Sequence, residues 1–477
     1  MSLEEKRSKQ KTPSLVGASI TLLAVCIAVL GGLKLGVGAP MSLVMGTVVA
    51  VVSALIYRVP WADIQGRFMQ VITDSLVPIL ILMCVGMMIG AWLIGGTIPS
   101  LMYYGLKLCS PHWLLPITFL LCVVTSVFTG TSFGSIATMG LALVGVGTAM
   151  GLPVYVVAGA AVSGAYFGDK MSPMSDSSNI ASAMTKVSLY DHIGSMMRTT
   201  VPASIIVLIS YTVLGFYYGG MVADMSNVEL MIETLGANFN VSLVALIPAI
   251  LMLAVSAKKV PAILGLGACA IFSVFFAMIM EPVSFAEVMT SAFSGYVSNT
   301  GVPMVDEILN RGGLISMAQT TYIIILAAVM GGTLMASGVL DVFVKQFLLK
   351  VVKGTGSLVA STMVYSYLIL AMSGNQQLPV LLGGVTFNDL YDEMNVDRKV
   401  LSRTLADTAD IGAPLIPWSS ATIYITGVLG VTTAYIPFAF LGFVVPVFTL
   451  LFGLTGFCCW HSDGTPIRSF RKKKQIG

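Results

Sequence analysis

Long apolar runs alternate with short polar interruptions along the whole chain. The runs fall at about 14–35, 40–57, 75–96, 112–128, 132–150, 153–168 and 199–220, then at about 240–256, 260–280, 315–338, 356–372, 376–388, 400–412 and 432–455. Many approach ~20 residues, the length of helix that crosses a hydrocarbon layer of roughly 30 Å. Residues 97–111 and 339–353 are amphipathic and predict helices lying along the membrane surface. Residues 60–72 and 283–314 read as more polar connectors. Backbone polar groups in lipid must be satisfied inside helices or closed barrels, and the period-two alternation of barrel strands is missing. The pattern therefore predicts an all-α polytopic membrane protein.

One polar motif occurs twice. Thr129-Gly130-Thr131-Ser132 is followed by Gly168-Asp169-Lys170-Met171-Ser172-Pro173-Met174-Ser175-Asp176-Ser177-Ser178-Asn179. Adding 244 turns the first stretch into Ser373-Gly374-Asn375-Gln376, Gly168 into Gly412, Pro173 into Pro417 and Ser175 into Ser419. Gly90 and Gly96 recur as Gly332 and Gly338, an offset of 242 that a two-residue indel reconciles with 244. The spacing predicts a duplication in which each copy carries two oxygen-rich helix breaks, the signature of a secondary transporter's binding site.

Charge placement then predicts the orientation. Both chain ends are basic, as are Arg58/Arg67, Lys186/Arg198, Lys258/Lys259, Lys345/Lys350/Lys353 and Arg398/Lys399/Arg403. The stretch 221–238 lacks Lys and Arg and carries Asp224, Glu229 and Glu233, and 413–431 also lacks Lys and Arg. By the positive-inside rule the basic groups are cytoplasmic and the latter two stretches external. The first copy then crosses an odd number of times, so the second is inserted upside down: an inverted repeat. The expected divisions are a basic N-terminus (1–13), a first repeat (14–220), an external link (221–239), a second repeat (240–455) and a basic tail (456–477), both termini facing the cytoplasm of a bacterial-type cell.

Composition excludes other classes. Hydrophobic residues make up 56% of 477 positions and charged residues 10%, with mean hydropathy +0.91, more apolar surface than a soluble chain can hide. Seven cysteines and three histidines have no metal-ligand spacing, and no nucleotide-binding loop is present, so neither a cofactor nor intrinsic ATP hydrolysis is expected. The basic tail reads as a juxtamembrane anchor at the lipid surface, not a nucleic-acid arm. An intramembrane aspartyl protease, suggested by Phe167-Gly168-Asp169 and Tyr190-Asp191, fits a duplicated chain poorly.

The breaks carry the candidate chemistry. Small hard cations take several oxygen ligands, a rule extended here to sodium. Thr129, Thr131 and Ser132, with their mates Ser373, Asn375 and Gln376, offer hydroxyl, amide and freed carbonyl oxygens. Asp169, Ser172, Ser175, Asp176 and Asn179 form the second break; Asp407, Asp410, Ser419 and Ser420 its mate. Asp407 and Asp410 share a helix face, and mutual repulsion between them suits exchange of a cation for a proton. Thr131, Asp176, Asn375 and Asp410 are the leading sodium candidates. Half-helix N-termini at the breaks would also favour an anionic carboxylate. Trp418 reads as an interface anchor.

Thr129-Gly130-Thr131-Ser132, Gly164-Ala165-Tyr166-Phe167-Gly168-Asp169-Lys170-Met171-Ser172-Pro173 and Thr200-Val201-Pro202, in that order, resemble the NhaC-type sodium/proton antiporters of the ion transporter superfamily. The resemblance covers nearly the whole chain. It implies an inverted-repeat ion-transporter fold with broken helices and re-entrant hairpins. It also implies Na+/H+ antiport as the activity, by an elevator-like movement, often in a homodimer. Relatives within that group exchange small carboxylates or amino acids, malate for lactate among them, which leaves a sodium- or proton-coupled organic exchanger as the alternative.

Overall fold

The computed structural model describes residues 11–173, 175–221, 226–258, 260–310, 312–343 and 349–467. The first half runs α1 (Leu15–Lys34), α2 (Ala39–Ile56), α3 (Trp61–Asp74), α4 (Leu76–Ile94), α5 (Thr97–Leu108), α6 (Pro111–Thr129), α7 (Ser132–Ala149), α8 (Val154–Met171), α9 (Asp176–Thr185) and α10 (Leu189–Gly219). After α11 (Ser226–Asn238) come α12 (Ile247–Ala257), α13 (Ala262–Met280), α14 (Phe285–Ser294), α15 (Pro303–Leu309), α16 (Ala318–Ala336) and α17 (Val339–Phe343). The chain then forms α18 (Thr355–Ser373), α19 (Gln377–Glu393), α20 (Arg398–Gly412), α21 (Ser420–Leu429) and α22 (Leu441–Thr455). Nine helices among the described residues are long and apolar enough to cross a membrane. The only strand-like pairing among them is one bridge between Trp460 and Pro466. The protein is an all-α, multi-pass membrane protein.

Several boundaries depart from the hydropathy reading. Residues 60–72 are not a connector: α3 runs on into α4 through a bend where the Ser75 amide bonds to the Val71 and Ile72 carbonyls. The connector 283–314 holds α14 and α15 and returns to the core at Gly312 and Gly313, both left-handed. The Gly313 amide bonds to the Gly86 carbonyl at 2.8 Å, and a Cβ there would sit 2.2 Å from the Gly295 nitrogen, so only glycine fits. Helix α5 turns its apolar stripe onto protein: Ile98, Met102 and Leu106 are buried, and the helix packs on α7. The link 221–239 contains α11, which packs on α5 through buried Met231 and Leu235. Helix α10 starts ten residues before the expected 199, and α21 was not anticipated as a helix of its own. Part of the amphipathic stretch 339–353, much of the basic N-terminus and the basic end of the tail lie outside the described residues.

The duplication is visible in the backbone. Helices α6 and α18 begin and end 244 residues apart, and each stops on a left-handed glycine, Gly130 (φ 67°) and Gly374 (φ 64°). Helix α8 starts at Val154 and α20 at Arg398; α9 spans Asp176–Thr185 and α21 spans Ser420–Leu429. Ser175 and Ser419 cap the latter pair, and left-handed Lys186 and Gly430 end them. All these pairs keep the 244 offset. Helices α4 and α16 keep 242.

The copies are interlocked. Helix α9 of the first packs on α19 of the second, and α21 of the second packs on α7 of the first. The Asn388 amide donates to the Met184 carbonyl (2.9 Å), and the Tyr424 hydroxyl donates to the Phe133 carbonyl (2.8 Å) with the two rings stacked. After α22 the chain turns back over the start of α20. The Asp397 amide bonds to the Trp460 carbonyl (2.8 Å), fully buried Arg403 donates to the Cys458 carbonyl (2.9 Å), and Arg198 stacks on the Trp460 ring.

Candidate functional site

The four breaks meet. A cavity of about 740 Å³ is lined by Thr129, Thr131 and Ser132 from the first, Asp169, Asp176 and Asn179 from the second, Asn375 and Gln376 from the third, and Ser420 from the fourth. Each break places its oxygens by the same local rule. A helix stops, one or more residues extend, and a hydroxyl or amide caps the next helix. Thr131 Oγ1 accepts from the Gly134 amide (3.5 Å), Ser175 Oγ from Ser177 (3.2 Å), Asn375 Oδ1 from Gln377 (2.8 Å) and Ser419 Oγ from Thr422 (3.1 Å).

Asp169 forms the floor of this arrangement. It is 9% exposed, lines the cavity, and sits one turn from the end of α8. Ser132 Oγ donates to its Oδ2 at 2.7 Å and Ser175 Oγ donates to its Oδ1. The acid thus ties the first break to the second. Helix α8 reaches α6 closely enough for this because Gly164 and Gly168 face α6: a Cβ on Gly168 would lie 2.4 Å from Ser126 Cβ. Ser126 Oγ donates to the Ala165 carbonyl (2.6 Å) and Ser172 Oγ to the Val127 carbonyl (2.8 Å), which fastens the two helices around the break.

The second copy's acids behave differently from the expected repelling pair. Asp407 is fully buried and forms an ion pair with fully buried Lys170, and Thr449 Oγ1 donates to its other oxygen. Lys170 also donates to Thr200 Oγ1 (3.1 Å). Its partner is therefore neither solvent nor adjacent Asp169 but an acid 237 residues away, which also removes the repulsion between Asp407 and Asp410. Asp410 is 5% exposed, and neither of its oxygens has a hydrogen-bond partner among the described residues. Asp169 and Lys170 are the charged groups near enough to act on it.

Nine of the expected site residues line the cavity; six do not. Ser172, Ser175 and Ser373 lie behind the wall as fasteners, Ser373 donating to the Ile369 carbonyl (2.8 Å). Ser419 donates to the Ala413 carbonyl (2.5 Å), while Asp407 and Asp410 are in the buried layer just described. Of the four sodium candidates, Thr131, Asp176 and Asn375 reach the cavity and Asp410 does not. Trp418 is no interface anchor: it is 8% exposed and its indole donates to the Ala371 carbonyl (2.5 Å), locking the break against α18. The lining also contains Asp74, Ser177 and Gln377, which the repeat argument did not select. Asp74 lies outside both motifs, so only its carboxylate at the head of an apolar run pointed to it. Among the described residues, no cluster of three or more His, Cys, Asp or Glu has metal-binding geometry, so any cation here would rest mainly on hydroxyl, amide and carbonyl oxygens.

A family profile described as "Na+/H+ antiporter family" matches residues 164–457, more than half of the chain. The chain belongs to that family. It is 35% identical over 445 residues to the Na+/H+ antiporter NhaC of Alkalihalophilus pseudofirmus, covering 92% of this chain and 96% of that one. It is also 35% identical over 410 residues to a malate-2H+/Na+-lactate antiporter of Bacillus subtilis, covering 86% and 87%. An arginine/ornithine antiporter, ArcD of Halobacterium salinarum, is 32% identical over 455 residues, covering 94% and 92%. Membership of this antiporter family makes the chain a transporter.

Proposed function

We propose that this protein exchanges Na+ for H+ across the cytoplasmic membrane, with Asp169 at the centre of the cation site. The observation that carries the reading is the convergence of four helix breaks on one cavity, with a buried carboxylate in its wall braced by two serines. A buried acid in a membrane protein marks an ion pathway more often than a structural accident. Thr129, Thr131 and Ser132 supply oxygens on one side of it, Asp176 and Asn179 on another, and Asn375, Gln376 and Ser420 face them from the second copy. Sodium and a proton compete for this carboxylate, and that competition couples the two fluxes. The inverted arrangement of the repeats, cytoplasmic termini, an elevator-like movement and a homodimer are further parts of this reading. They are supported by the charge placement and by the family resemblance.

A second reading is an exchanger of small organic acids or amino acids coupled to Na+ or H+. One feature favours it beyond the relatives: a cavity of about 740 Å³ is far larger than a stripped cation needs.

Sodium flux in proteoliposomes, with Na+ and pH gradients set independently, tests the first reading. Asp169→Asn is expected to lower exchange by about two orders of magnitude, on the scale of ~1.4 kcal/mol per tenfold, while purified protein keeps its elution profile. Full activity with an unchanged pH profile in that variant would sink it.

A further inference from the structure

The cavity has a sign. Three carboxylates line it, Asp74, Asp169 and Asp176, and among the described residues no Lys, Arg or His does. Among the described residues, Lys170, next to Asp169 in sequence, is consumed by Asp407, and exposed Lys258, in the segment between lining residues Val255 and Val260, is not part of the wall.

At each break one N–H that an anion could use is already taken. Helix N-termini attract anions because their first N–H groups are free. Here the breaks' own side chains take N–H groups at each of those helix starts. Thr131 holds Gly134, Ser175 holds Ser177, Asn375 holds Gln377 and Ser419 holds Thr422, while the Ser420 amide bonds to the Gly374 carbonyl at 2.7 Å. The Asn179 amide is spent on the Pro173 and Ser175 carbonyls. The lining also offers acceptors: the three acids, and Gln376 Oε1, a buried oxygen with no hydrogen-bond partner among the described residues.

We infer that the organic solutes this cavity admits carry a positive charge, as an ammonium or guanidinium group, and that simple carboxylates are turned away. The inference rests on reading the cavity as the transport site. The head group sits among acceptors at Gln376 and Asp169 in the place Na+ would take, and the remaining volume holds the carbon skeleton between the apolar side chains of Val255, Val260 and Leu266.

Competition in proteoliposomes tests this. Guanidinium and methylguanidinium stay charged at working pH and so do not discharge a pH gradient as weak bases do. At low millimolar concentration, with K+ balancing ionic strength, they are expected to raise the half-saturating Na+ concentration several-fold at unchanged maximal rate. Malate, lactate and acetate at equal concentration leave it unchanged. Asp74→Asn, at the cavity rim, is expected to weaken the guanidinium effect at least threefold. Competition by the carboxylates, or none by the guanidinium ions while Na+ exchange proceeds, overturns the inference and leaves the Na+/H+ reading standing. Counterflow of labelled methylguanidinium in a preparation with no Na+ flux does the reverse.

Discussion

In the first copy, the helix entering the second break carries Asp169 and Lys170 near its end; at the matching positions the second copy has Ala413 and Pro414. Earlier along the same helices the second copy has Arg403, Asp407 and Asp410 where the first has Gly159, Ser163 and Tyr166. The two copies keep the same helix stops and caps at one offset, left-handed Gly130 and Gly374 and the capping serines 175 and 419. Duplication thus preserved what makes a break and let the charges diverge. Divergence also made the copies depend on each other, since Lys170 of one is neutralised by Asp407 of the other.

That dependence is the strongest place to break the comparison. Removing one partner of a buried ion pair strands the other, at a cost of about 3–5 kcal/mol. Lys170→Met and Asp407→Leu are each expected to lower the melting temperature of the detergent-solubilised protein sharply. The double variant recovers most of the loss. Equal melting of singles and double would mean that the pair does not hold the copies together.

The glycines at the breaks sharpen it next. Alanine in the left-handed region costs roughly 1–2 kcal/mol, so Gly130→Ala and Gly374→Ala both destabilise. Gly374→Ala also brings its Cβ to 3.1 Å from the Trp418 carbonyl. No loss of stability at either glycine would show that the left-handed stop is not what ends its helix.

The smallest effect belongs to a charge pair with no mate in the first copy. Arg398 bonds to Asp392 at 2.9 Å through Nε and holds that carboxyl below its ordinary 3.8. A lowered carboxyl value stabilises the fold at neutral pH, and the contribution is lost as pH falls beneath about 3.8 through the depressed value. Asp392 is 48% exposed, so solvent screening leaves under about 1 kcal/mol. Arg398→Ala is therefore expected to shift melting slightly at pH 7, by an amount that shrinks as pH falls below 3.8.

Much of this was legible in the chain itself. A single offset linking Thr129–Ser132 to Ser373–Gln376 located the breaks, because helix interruption is written in local residues: Gly, Pro, Ser, Thr and Asn. The helix α21 hid because Ile416–Ser420 reads as polar break and Ala421–Leu429 is too short for a span. Lys170 bonding to Asp407 could not be read, since a contact across 237 residues depends on which helix faces meet. For the same reason Asp407 and Asp410, three residues apart, looked like one site and turn out to have separate surroundings: one clasped by a lysine and a threonine, the other bare.

The loop that folds back from the last helix has a mechanical implication. By gripping the Asp397 amide and the Arg403 guanidinium, it yokes itself to the shaft that bears both deep acids. That shaft cannot slide lengthwise and leave its rider behind. A dye attached at exposed Ser462 would therefore report displacement of a rod that is buried from Val400 to Gly412.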